Sequence, residues 1–123
     1  MIAYGAGSLV HFVHNAEFLA EYPNMPAWLS RTDVYVVWLG ITAIGVAGYV
    51  LAGHGYRLAG LLLVAVYAAL GLDSLGHYAL APMSAHTAAM NSTILLEVAT
   101  AALLFVRSLG LIAAWQAAWT DRR

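Results

Sequence analysis

The stretch GAGSLVHFVHNAEFLAEY, Gly5–Tyr22, decides how this chain is read. It is an apolar run of helix length that carries His11, His14, Glu17 and Glu21. At ~100° per residue, the four fall within roughly a 120° arc of one helical face. If the run crosses a bilayer, two imidazoles and two carboxylates share one stripe inside it. Ionisable groups are expensive against lipid, so the stripe must face protein, water or a metal.

Composition supports the bilayer. Of 123 residues, 63% are hydrophobic and 9% charged, and the mean hydropathy is +0.78. A soluble domain carries about 25% charged residues, so solvation alone points to an integral membrane protein with lipid as its first partner. The chain has no cysteine, which removes disulfides, thiolate metal sites and thiol nucleophiles. It has no lysine either, which removes Schiff-base chemistry; the basic residues are Arg31, Arg57, Arg107, Arg122 and Arg123. A net charge of −1 leaves no nucleic-acid footprint. The first segment lacks a basic n-region and an A-x-A-like cleavage site, so it reads as a mature helix rather than a signal peptide.

Hydropathy and punctuation predict an all-α membrane bundle of four transmembrane helices with short loops, in a single domain. Pro23 and Pro26 end the first span, 2–22. The second, 34–52, follows a cap at Ser30 or Thr32 with Asp33 in its first turn. Gly40, Gly45 and Gly48 within it allow close helix approach. Gly53-His54-Gly55-Tyr56-Arg57 is a tight turn into the third span, 58–81, which Pro82 breaks. Ser84 caps a fourth segment that runs from about Ala85 to Trp119, with 85–107 as the span and 108–123 as an interfacial tail. Four spans put both termini on one side with Arg57, Arg107, Arg122 and Arg123, against Arg31 alone on the other. The positive-inside rule then places both termini in the cytoplasm, as in a bacterial inner membrane.

The unusual residues gather toward the outer ends. Asp73 and His77 are i,i+4 neighbours on the third span. His86, Met90, Thr93 and Glu97 fall within roughly 60° on the fourth. At ~1.5 Å per residue, His77 and Glu17 share one depth, His14 and Asp73 a second, and His11 and Glu97 a third. Three helices presenting polar stripes are how bundles build interior metal sites. The expected ligands are His11, His14, Asp73, His77 and His86. Glu17 and Glu97 are the candidate catalytic carboxylates, as general base or as orienters of an imidazole. Nitrogen and oxygen donors without thiolate suit copper, zinc or non-haem iron, in a mononuclear or dinuclear site. His54, in the opposite turn, reads as structural. Met90 reads as core packing, and Asn15 and Asn91 read as interhelical hydrogen-bonders.

Asp73-x3-His77 followed by His86 resembles the Asp-His-His copper site in the membrane part of particulate methane monooxygenases. The likeness covers only Asp73 to His86, with a shorter gap between the histidines, and gives His11, His14 and Glu17 no counterpart. What it implies is copper.

The residues themselves favour a membrane metalloprotein, either a redox or hydrolytic enzyme or a metal-handling protein. Its small-molecule substrate is left open. Three alternatives stand beside it. A proton or ion relay would use the ladder from His86 down to His11 and Glu97, although the inner half of every span reads as apolar. A haem b carrier would use His14 opposite His77. A small accessory subunit would pack within a homo-oligomer or a larger membrane complex.

Overall fold

The computed structural model describes residues 1–122. Every regular element among them is helical: α1 (Ile2–Glu17), α2 (Arg31–Gly53), α3 (Arg57–Gly71), α4 (Gly76–Leu80) and α5 (Ala88–Thr120). Short 3₁₀ turns cover Leu19–Glu21, Leu72–Leu75 and Met83–Ala85. Three helical runs are long and apolar enough to cross a membrane: α2, Arg57–Leu80 and α5, with mean hydropathies of 2.0, 2.0 and 1.9 over their most apolar stretches. α1 is shorter, at 16 residues. It rises ~24 Å, and its 3₁₀ extension adds ~6 Å.

The helix ends follow local chemistry. Ser30 caps α2 through a reciprocal box: its Oγ accepts from Asp33 N at 3.2 Å, and Asp33 Oδ2 accepts from Ser30 N at 2.9 Å. Gly55, at φ +93°, makes the turn between α2 and α3. The cap expected at Ser84 is supplied instead by Thr87, whose Oγ1 accepts from Met90 N at 3.2 Å. Ser84 lies in the preceding 3₁₀ turn, so α5 begins at Ala88. From there α5 runs unbroken to Thr120, as the long fourth segment led us to expect. Residue 123 of the expected tail lies outside the described residues.

α1 packs against α2 and α5, and α3 packs against the same two helices. The α2–α3 crossing is backbone on backbone. A Cβ at Gly48 would sit 2.9 Å from Gly60 O, and one at Gly60 would sit 2.5 Å from Gly48 O and collide with Ala52 N. Two aromatic-centred clusters fill the interior. Tyr4, Tyr67 and Ala101 form one; Tyr22, Met90 and Ile94 form the other, at the end where Pro23 and Pro82 turn the chain.

Candidate functional site

The second of these clusters carries the histidines. Tyr22 precedes Pro23, which steers it into extended backbone (φ −71°, ψ 127°). The chain thereby leaves the 3₁₀ turn with the Tyr22 ring folded inward, only 4% exposed. Four imidazoles surround that ring. Centroid separations are 5.0 Å to His77, 5.8 Å to His14, 6.4 Å to His86 and 6.5 Å to His11. His77 in turn lies 5.3 Å from His11 and 6.2 Å from His86.

Hydrogen bonds fix each ring. Tyr22 OH meets His14 Nδ1 at 2.9 Å. Asn15 Nδ2 donates to His77 Nε2 at 3.1 Å, leaving His77 Nδ1, which then carries the ring proton, buried without a partner. His86 Nδ1 donates to Pro82 O at 3.1 Å, so its Nε2 carries the lone pair; that atom too is buried and unpartnered. The turn that presents His86 is itself held: Asn91 Nδ2 donates to Met83 O and His86 O, and Tyr78 OH donates to Asn91 Oδ1 at 2.9 Å. His11 Nδ1 meets Thr93 Oγ1 at 3.3 Å, and its Nε2 faces Glu97 Oε2 at 3.7 Å. Glu97 is fully buried and accepts from Ser74 Oγ at 2.5 Å. His14 is less enclosed than the others. It lines a groove of about 350 Å³ beside Val10, Phe18 and Thr93, open on the flank of the molecule.

The expected site residues therefore divide. His11, His14, His77 and His86 come together, and Glu97 joins through His11. Asp73 stays at the edge: it is exposed, close enough to His77 for an electrostatic interaction but not among the buried rings. The reason is the 3₁₀ turn Leu72–Leu75. On a continuous α-helix Asp73 and His77 would lie about 40° apart, whereas a 3₁₀ turn moves them toward about 120°. Glu17 borders the His14 groove but is not among the buried rings. Its Oε1 pairs with Arg31 at 2.6 Å and accepts from Tyr35 OH at 2.8 Å on the outer rim. Glu21 is exposed. His86 belongs to the turn before α5 rather than to its face. His54 bonds to Val50 O in the far turn, and Met90 is core, as expected. Among the described residues, no group of three or more His, Asp or Glu stands ready to hold a metal ion.

Below Glu97 the polar character continues, contrary to the expected apolar inner half. Ser8 lies against both Glu97 and Tyr4. All three residues are at most 1% exposed, and Glu97 Oε1, Ser8 Oγ and Tyr4 OH lack a hydrogen bond of good geometry. The Tyr4 ring packs against Tyr67 at a tilt, 4.5 Å between centroids, and borders a groove of about 210 Å³ with Met1, Thr100 and Arg107. Tyr22, Thr93, Ser74, Ser8 and Tyr4 carry no charge and are common in apolar helices. In the sequence, the one signal for Tyr22 is its place directly before Pro23.

No family model matches the chain, and neither do the curated proteins or the solved structures.

Proposed function

We propose that the chain is an integral membrane protein of four spans, with α1 and its 3₁₀ extension as the first. On this reading both termini are cytoplasmic, and a transition metal is held by imidazoles in the outer half of the bilayer. The observation that carries it is the pair of unpartnered nitrogens, His77 Nδ1 and His86 Nε2, on buried neighbouring rings. Leaving such groups unsatisfied costs about 1–3 kcal/mol each; a shared cation removes that cost. With metal–nitrogen distances of ~2.0–2.1 Å, two imidazoles on one ion bring their centroids to about 5–6 Å. The His77–His86 centroids, 6.2 Å apart, lie just beyond that range, so a shared ion would draw the two rings slightly together.

The far nitrogen of each ring is anchored in the manner of metal-binding histidines. Pro82 O holds His86 Nδ1. As the amide sits, Asn15 Nδ2 donates to His77 Nε2 and leaves the proton on Nδ1; metal binding through Nδ1 requires the amide to turn over, so that Oδ1 accepts from Nε2 and the Nδ1 lone pair is freed. A third ligand would come from His14, half-exposed on its groove, or from His11, 5.3 Å from His77. This donor set is richer in nitrogen than the sequence suggested and suits copper, zinc or non-haem iron. When bound, the ion supplies Lewis-acid or redox chemistry. Glu97 orients His11, and the His14 groove gives a small molecule its approach. We take the protein to be a metal-dependent enzyme or a metal-handling protein.

Protein extracted gently without chelator should carry close to one equivalent of metal. His77→Ala and His86→Ala should each lose most of it, while His54→Ala should not. Wild-type protein with less than about a tenth of an equivalent that resists reconstitution refutes the reading.

One observation favours a second reading, a proton relay. Below the histidines, Glu97, Ser8 and Tyr4 prolong the polar trail toward Arg107. In proteoliposomes holding a pH-sensitive dye, an imposed potential should drive proton flux that Glu97→Gln and Tyr4→Phe abolish. Flux absent from the wild type, or unchanged in both variants, removes this reading and leaves the metal reading standing.

A further inference from the structure

The opposite end of the molecule holds a second feature. The inner ends of α2 and α3 meet the last turns of α5 around a groove of about 440 Å³. Its floor and walls are apolar and mostly small, with Leu61, Leu111 and Ala114 among them, and Trp115 stands at its side. Two guanidinium groups, Arg57 and Arg122, border it. Arg122 Nε donates to Ala118 O at 2.9 Å, which ties that side chain to the end of α5. Among the described residues, neither arginine forms an ion pair with a carboxylate; the ion pairs there are His11–Glu97 and Arg31–Glu17. Asp121 is exposed and does not line the groove.

We infer that this groove seats an anionic phospholipid, with the phosphate between Arg57 and Arg122 and an acyl chain along Leu61 and Leu111. The inference rests on the membrane reading above, but not on the metal. The charge is complementary, since basic pockets between spans at the cytoplasmic face recognise acidic headgroups. Arginine suits the site because its planar fork grips two phosphate oxygens at once. The apolar walls are complementary as well: a free phosphate needs no slot of leucine and alanine. Trp115 sits where an indole prefers to be, between headgroup and hydrocarbon.

The test uses the full chain in detergent micelles. Phosphatidylglycerol and phosphatidylcholine with identical acyl chains are titrated in turn and followed by native mass spectrometry. Phosphatidylglycerol should add as one retained molecule, at least about tenfold tighter than phosphatidylcholine. Arg57→Gln and Arg122→Gln should each weaken it about fivefold, and the double variant should erase the preference. Arg31→Gln, at the other end, should not change it. Equal binding of the two lipids, or a preference that survives the double change, overturns the proposal. Competition by millimolar inorganic phosphate overturns it too, because the site would then be an anion site without an acyl slot. Incorporation into lipid nanodiscs is scored separately: a chain that never enters them refutes the membrane reading, whereas one that enters without lipid preference refutes only this site.

Discussion

Replacing Tyr22 in two steps separates what its ring does from what its hydroxyl does. Tyr22→Phe keeps the ring against His11, His14, His77 and His86 and removes the hydroxyl, with its 2.9 Å hydrogen bond to His14 Nδ1 and its contact with Thr93. A hydrogen bond of this kind contributes about 0.5–1.5 kcal/mol net. His14 is half-buried beside an open groove, so its freed nitrogen can find another partner, and the loss should fall at the lower end. Tyr22→Ala removes the ring itself from a position 4% exposed. Deleting a buried aromatic side chain costs about 3–5 kcal/mol, and the ring–ring attractions that vanish with it add to that. The expected gap between the two variants is therefore about 2–4 kcal/mol. The assay is reversible unfolding in mixed micelles followed by helical circular dichroism, with chelator present so that metal binding does not enter the balance. With metal, Tyr22→Phe should load like the wild type and Tyr22→Ala should not. Equal losses in the two variants would refute the reasoning, because the hydroxyl would then be the organiser. A loss below about 1 kcal/mol for Tyr22→Ala would refute it from the other side.

Gly60→Ala should destabilise the α2–α3 pair by up to about 2 kcal/mol: overpacking of ~1–3 kcal/mol against α2 backbone outweighs ~1 kcal/mol of helix propensity. Gly40→Ala, with open space around it, should not destabilise in the same unfolding assay. Glu17→Gln breaks a pair whose side chains are 35% and 64% exposed, so it should cost under ~1 kcal/mol and leave metal content unchanged; a loss of metal would return Glu17 to the site. A C-terminal phosphatase fusion should be inactive and a C-terminal fluorescent fusion bright; the reverse pattern would invert the orientation.

Much of the architecture is local chemistry and was legible residue by residue. Hydropathy marked the long helices, Pro23 and Pro82 marked where the chain turns, and Ser30 with Asp33 marked a cap, because each effect acts within a few residues. Helical periodicity also brought out the four histidines that converge. It failed where backbone geometry departs from the α-helix. The 3₁₀ turn at Leu72–Leu75 leaves Asp73 exposed at the edge of the cluster, and the turn at Met83–Ala85 takes His86 off the α5 face. It was silent about Tyr22, Ser8 and Tyr4, since an uncharged hydroxyl in an apolar helix costs too little to stand out until its neighbours are known. Whether Glu17 turns inward or pairs with Arg31 depends on how α1 meets the start of α2, a meeting of two helices. Sequence alone thus picked out the ionisable groups that stand in apolar helical stretches. Only the tertiary structure decided which of them are buried together and which stay exposed, because that depends on turns and helix packing that no single helical face contains.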